Sequence, residues 1–159
     1  MTNNQLTPAV LCDIDGTIAL MNFKRRSPFE YEKAFSDRLN KPVAQVVKSI
    51  IEGWRYKLIF FSAREDKTFS PGSPYKSTYH LTYEWITQNF GTSTDWGWDL
   101  HLREEGNHNK DCYVKYDMYK EHIEGKYDVR YVFDDRNQVV DMWRNGLGLT
   151  CLQVADGNF

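Results

Sequence analysis

Residues Ala9-Val10-Leu11-Cys12 form an apolar run that ends abruptly in Asp13-Ile14-Asp15-Gly16-Thr17. A continuous apolar run without alternating polar residues is the pattern of a strand covered on both faces, as in a parallel sheet. The two aspartates then fall where the strand ends and the chain turns, the edge at which open α/β sheets hold their ligands. Two carboxylates converging on one crevice repel each other, so the site calls for a cation, a shared proton, or both. Gly16 lets the backbone approach closely, and the Thr17 hydroxyl can hold the turn. The plainer reading of the same residues is a capped turn at a strand end.

Strand-like and helix-like patterns alternate along the rest of the chain. Val43, Val46, Val47, Ile50 and Ile51 recur at helical spacing, with Gly53 as the expected stop. Residues 57–62 form a second apolar run, ending in Ser62 with Arg64 just beyond. Residues 79–90 read as a helix with Leu81, Trp85, Ile86 and Phe90 towards the core. A third strand is expected over 98–103, a helix over 111–123, and a strand over 129–135 that ends in Asp134-Asp135. A helix over 138–145 and a last strand over 150–154 complete the pattern. Residues 18–28, which contain Lys24-Arg25-Arg26, are expected to form a flap over the aspartate edge. Residues 29–39 read as a short helix or irregular segment, and 67–77 as a turn-rich loop. The alternation predicts an α/β fold with a doubly wound parallel sheet, one domain over 1–159, and no large cap domain. The flap and the 67–77 loop are the candidate covers.

Composition narrows the partners. The 159 residues are 41% hydrophobic, enough for a real core, and the net charge is −2. That excludes the global basic field of a non-specific duplex binder. A polyanion must be held by a local cluster of Lys and Arg, which suits a chain end or a small molecule. Cys12, Cys112 and Cys151 form no C-x-x-C pair and read as small buried hydrophobes of a reducing compartment. The polar N-terminus lacks a signal pattern, and no apolar run approaches the ~20 residues that span a bilayer. A soluble, cytoplasmic protein without membrane contact is expected, with its oligomeric state open. His101, His108 and Cys112 give no closed zinc set. Packing is favoured over base stacking for Tyr75, Tyr79, Tyr83 and Trp85.

Four polar features fall at strand ends or at the starts of the following helices: Asp13 with Asp15, Ser62 with Arg64, Asp111 with Lys115, and Asp134 with Asp135. A parallel sheet brings all four to one edge. Asp13-Ile14-Asp15-Gly16-Thr17 is similar to the first motif of the haloacid-dehalogenase-like phosphatases. Nearly the whole chain resembles the 3′-phosphatase domain family of T-even bacteriophage polynucleotide kinase. The resemblance runs through 13–22, 62–65, 102–105, 110–115, 134–143 and 153–159, and is most specific at Asp134-Asp135-Arg136-Asn137-Gln138-Val139-Val140-Asp141-Met142-Trp143. It implies a haloacid-dehalogenase-like Rossmannoid that removes terminal 3′-phosphates from DNA or RNA through an aspartyl-phosphate, using magnesium.

The chemistry of each residue stands beside that resemblance. A carboxylate nucleophile, Asp13, splits phosphomonoester hydrolysis into two displacements. Asp15 would protonate the leaving oxygen and then deprotonate water, help typically worth ~10²–10⁴-fold. A magnesium ion would be held by Asp13, the Asp15 backbone carbonyl, and the Asp134-Asp135 pair, either of which could be the direct ligand. Ser62 can hydrogen-bond a phosphate oxygen and Lys115 can neutralise it. Asp111, four residues before Lys115, can share its helix face and orient it or reach the metal; the plain alternative is an exposed ion pair. Arg64 and Arg26 match arginines of the family and would clamp phosphate by their forks. The flap is about two residues longer than the family leads one to expect, so Lys24 and Arg25 compete with Arg26, which is assigned because it precedes Ser27-Pro28. Arg103 lies in a matching stretch and is assigned to substrate, against a solvated loop charge. Cys112 and Ala63 depart from the family pattern without removing a catalytic group. No G-x-x-x-x-G-K-[ST] loop occurs, so no kinase domain is expected. The expected partners are DNA or RNA 3′-phosphate ends and 3′-nucleotides, in the host cytoplasm if the chain is phage-encoded. The alternatives are a nucleotidase or other small-molecule phosphomonoesterase, and a non-catalytic module that holds nucleic-acid ends.

Overall fold

The computed structural model describes residues 5–91 and 97–158; residues 1–4 of the polar N-terminus and Phe159, the end of the last matching stretch, lie outside it. The strand that carries the aspartates, β1 (Thr7–Cys12), is the middle of a five-stranded sheet. With β4 (Lys57–Glu65), β5 (Asp99–Arg103), β6 (Tyr127–Arg136) and β7 (Cys151–Gly157) it gives the order β5-β4-β1-β6-β7. All four pairings are parallel. The fold is therefore the expected α/β Rossmannoid, with strand order reversing at β1.

Covering both faces explains the unbroken apolar runs. Val10, Cys12, Leu58 and Phe60 pack with α1 (Lys41–Trp54) and α2 (Thr78–Asn89) through Val47, Ile51, Trp85 and Ile86. The alternate residues Ala9, Leu11, Ile59 and Phe61 pack on the other face with α3 (Asp111–His122) and α4 (Asn137–Asp141) through Val114, Met118, Val139 and Val140. The two-residue period of a strand divides one apolar run between two cores. Full burial of a ring such as Phe60 or Phe61 contributes about 2–3 kcal/mol.

Several local expectations shift. Helix α1 runs through Gly53 and ends at Arg55, whose left-handed backbone (φ 55°) caps it through an N–H to the Ile51 carbonyl. Val46, placed by spacing on the apolar face, is half exposed. The last helix is short and continues as a π-helical turn, Met142–Gly146, which carries Trp143 into the core. Residues 29–39 resolve into a 3-10 helix (Tyr31–Ser36) and β3 (Arg38–Leu39), which pairs antiparallel with β2 (Ala19–Leu20). That pairing ties the start of the flap to the end of the 29–39 segment. The 67–77 loop closes on itself, with Thr78 N–H on the Lys67 carbonyl and Phe69 N–H on the Lys76 carbonyl. It contributes no residue to the cavity at the carboxyl edge, which the flap lines through Met21, Phe23 and Pro28 and the following segment through Phe29 and Tyr31.

Among the described residues no helix is long and apolar enough to cross a membrane.

Candidate active site

The carboxyl ends of β1, β4 and β6, the start of α3 and the flap enclose a cavity of about 640 Å³. Asp13, Asp15, Ser62, Arg64, Arg103, Asp111, Lys115, Asp134 and Asp135 all line it. Thr17 and Arg26 lie behind its wall and act on residues that line it.

The first half of the site is built on Lys115. It reaches from α3 with its ammonium buried, donating to Asp13 Oδ1 at 2.6 Å and to Asp134 Oδ2 at 2.7 Å. Burial would lower its pKa, but Asp13 and then Asp134 outweigh that and raise it. Thr17 donates its hydroxyl to Asp13 Oδ2 at 3.0 Å and approaches Asp135 Oδ1 at 3.3 Å. It thus orients Asp13 instead of facing a ligand. Asp134 is fully engaged: Oδ1 accepts the amides of Asp135 and Arg136, and Oδ2 also accepts the Trp143 indole N–H at 3.2 Å. The Asp135 carboxylate accepts the Thr17 hydroxyl and its own backbone amide. One carboxylate oxygen from each of Asp13, Asp134 and Asp135 lies within 4.8 Å of the others, all three buried. Burial pushes Asp13 up to about 8, with Asp134 and Asp135 adding to it and Lys115 opposing. Asp135 rises to about 6 through burial and the Asp134 charge. Three buried carboxylates against one ammonium fit a divalent cation, which oxygen donors of this kind hold well. The Asp15 carboxylate is outside this group, in keeping with the expectation that Asp15 serves a metal through its backbone carbonyl.

Two glycines make room for this half. A Cβ on Gly16, whose φ is 81°, would overlap the Asp135 carboxylate, and one on Gly157 would overlap the backbone of Asp135 and Arg136.

The second half is an ion network in which buried Arg26, Arg64 and Asp37 surround a partly exposed Asp15. Arg64 grips Asp15 with a two-pronged fork, Nε to Oδ2 at 2.7 Å and Nη2 to Oδ1 at 2.8 Å, and donates to Thr82. Arg26 donates to Asp15 at 3.0 Å and places Nε and Nη2 on Asp37 at 2.9 and 2.6 Å. Burial would raise the Asp15 pKa; the Arg64 charge and hydrogen bonds, then those of Arg26, override it and hold the carboxyl below its ordinary range. Both arginines, assigned to phosphate by the resemblance, thus spend their forks on carboxylates here. Asp37 carries no motif signal. Its side chain is inaccessible and also accepts the Asn22 amide, while its carbonyl accepts the Trp85 indole. The packing of the 3-10 helix Tyr31–Ser36 against α2 brings it in.

At the rim, Asp111 pairs with two arginines. Its two oxygens accept from Arg103 and Arg136, so it neither orients the lysine nor reaches the acidic group. Arg136 is a cavity-lining cation that sequence reasoning did not single out. Ser62 is buried at the end of the apolar part of β4, where its hydroxyl accepts the Arg64 amide at 3.2 Å and borders the cavity.

The parallel sheet and the lysine-bridged carboxylates at the end of its middle strand place this chain among the haloacid-dehalogenase-like phosphatases. Within that class it belongs to the family of the polynucleotide kinase PNKP phosphatase domain, whose model matches residues 7–159. It is 31% identical over 138 residues to a protein of Autographa californica nuclear polyhedrosis virus that carries the name bifunctional polynucleotide kinase/RNA ligase, covering 86% of this chain and 18% of that protein. Two solved structures are similar along nearly its whole length. One, of a Pnkp1/Rnl/Hen1 complex, matches with a TM-score of 0.80 and 37% identity over 99% of this chain and 49% of that one. The other, of the Pnkp1/Rnl/Hen1 RNA repair complex, matches with 0.74 and 38% over 97% and 44%. The chain spans about half the length of these structural relatives and less of the viral one.

Proposed function

We propose that this domain removes the 3′-phosphate from a polynucleotide end, leaving a 3′-hydroxyl, through a phosphoryl group carried on Asp13. The observation that carries the reading is the setting of Asp13. One of its oxygens is held by Lys115 and the other by Thr17, at the mouth of the strand and facing a cavity with several cations. In the first step Asp13 forms a bond to phosphorus as the bond from phosphorus to the 3′-oxygen breaks; Asp15, ionised while both arginines hold it, takes up a proton from water once the bound phosphate draws those arginines off, and passes it to that oxygen. In the second, Asp15 takes a proton from water, which attacks phosphorus and returns the Asp13 carboxylate. Lys115 and Ser62 hold the phosphoryl oxygens, and Arg103 and Arg136 face the negative charge of the rest of the substrate. Arg26 and Arg64 position Asp15 and are the nearest cations the bound phosphate can draw on.

Asp13 and Asp135 would hold a magnesium ion, with Asp134 fixing Lys115, because each Asp134 oxygen already accepts two donors whereas each Asp13 oxygen accepts one. Such an ion supplies charge neutralisation that lets a carboxylate approach a phosphate dianion. RNA ends are the favoured substrate, since one of the solved relatives belongs to an RNA repair complex. Repair of broken ends in the company of end-sealing proteins, in a cytoplasm, is the setting that supports best.

The test compares release of phosphate from a 3′-phosphorylated oligonucleotide, a 5′-phosphorylated one and free 3′-nucleotides, with magnesium and with chelator. Release from the 3′ end in magnesium is expected. Equal release from both ends would overturn the assignment, and a preference for free nucleotides would make the domain a nucleotidase. Asp13→Asn is expected to lower turnover by roughly 10⁴-fold or more.

A further inference from the structure

The flap, with the residue that follows it, carries a feature that the hydrolytic chemistry leaves unused. Phe23 and Phe29 both line the cavity that holds Asp13, yet they are 78% and 83% exposed. Neither ring touches another aromatic ring among the described residues. Leaving two phenyl rings in water forgoes the gain that burial would bring. Between them stand Lys24 and Arg25, both exposed and without an ion pair among the described residues. Arg26, by contrast, is buried and bonded to Asp37 and Asp15, so the base of the flap is fixed while its tip faces outward. Aromatic faces interleaved with free cations are the means by which proteins hold single-stranded nucleic acid: rings stack the bases and cations track the backbone.

We propose that Phe23 and Phe29 stack the terminal nucleobase of a single-stranded 3′ end, while Lys24 and Arg25 take the phosphodiester that follows. The flap is then the element that separates a polynucleotide end from a base-free phosphate ester. This rests on the 3′-phosphatase reading above. A free base has two π-faces to offer, whereas the last pair of a blunt duplex is already stacked and paired, so a single strand is the occupant the rings select.

Two single-stranded oligonucleotides that differ only at the 3′-phosphorylated terminal sugar, one bearing its base and one abasic, test it. The wild-type chain is expected to favour the base-bearing end by about tenfold in kcat/KM, mainly through KM. The double variant Phe23→Ala/Phe29→Ala is expected to lose that preference, tryptophan at both positions to restore it, and leucine, which keeps apolar bulk without a π-face, not to. Absence of a wild-type preference, its survival in the alanine variant, or equal rescue by leucine would each overturn the proposal. Failure of the wild-type chain to release phosphate from either strand would instead overturn the 3′-phosphatase reading. Stacking is then read without turnover, from quenching of a terminal 2-aminopurine: quenching that the alanine variant loses upholds the flap's role, and none in the wild type ends it.

Discussion

The two halves of the site are built from the same materials to opposite effect. Around Asp15, two carboxylates, Asp15 and Asp37, meet two guanidinium groups, Arg26 and Arg64, and the charges balance. Around Asp13, three carboxylates meet one ammonium, a formal excess of two negative charges. A balanced buried network is complete as it stands and fixes side chains in place. An unbalanced one is stable only with protons or a cation added, as the upward shifts of Asp13 and Asp135 record. The difference teaches that Asp13 and Asp15, two residues apart, belong to different electrostatic systems: one is prepared to receive charge and the other to hold a carboxylate still.

Removing Lys115 should have the largest effect on stability. Lys115→Met leaves three buried carboxylates without a cation and is expected to cost about 3–5 kcal/mol in chelator. Millimolar magnesium should return much of it, since a ligand at about 100 times its Kd adds about 2.7 kcal/mol. Denaturant unfolding with and without the metal reads this directly, and no metal response in either wild type or variant would break the contrast. Asp37→Asn should cost less, about 2 kcal/mol, by weakening charged hydrogen bonds to both arginines. That loss should not respond to magnesium; a metal-dependent recovery would show that the two networks are one. At the rim, Asp111→Asn is expected to change stability by less than about 1 kcal/mol, because the Arg103 and Arg136 pairs are partly exposed. A larger loss would extend the rigid network outward.

The smallest effect lies away from the cavity, where His101 stacks on His122 with ring centroids 4.4 Å apart. Burial and then the His122 charge lower the His101 pKa. The unfolded chain therefore binds the proton more readily than the folded one, so stability should fall as pH drops below about 6.5, the ordinary histidine value. His101→Phe should flatten that part of a melting curve taken against pH. An unchanged slope would remove His101 from the pH response.

Much of the sheet could be read from the chain because its signals are local. Four apolar residues before Asp13, and runs of the same kind before Ser62 and Asp134, mark strands buried on both faces. A parallel sheet must then bring their ends together. Lys115 could be placed there because it sits one turn into a helix that starts at the same edge. The closing of the 67–77 loop on itself and the run of α1 past Gly53 were decided by hydrogen bonds that no composition rule weighs.

The site divides in the same way. The sequence by itself determined which strand ends meet and which charged groups stand at them. The tertiary structure alone decided their pairing. Asp37 comes from a segment with no pattern, Trp143 reaches Asp134 only through a π-helical turn, and Gly157 clears space for a backbone twenty-two residues before it in the chain. Asp111 turns to arginines and not to the lysine on its own helix. Charges at an edge are fixed by the local pattern of strand and helix. Which charge faces which depends on distances of a few ångströms between segments far apart in the chain, and these exist only once the flap, the sheet and α3 have packed together.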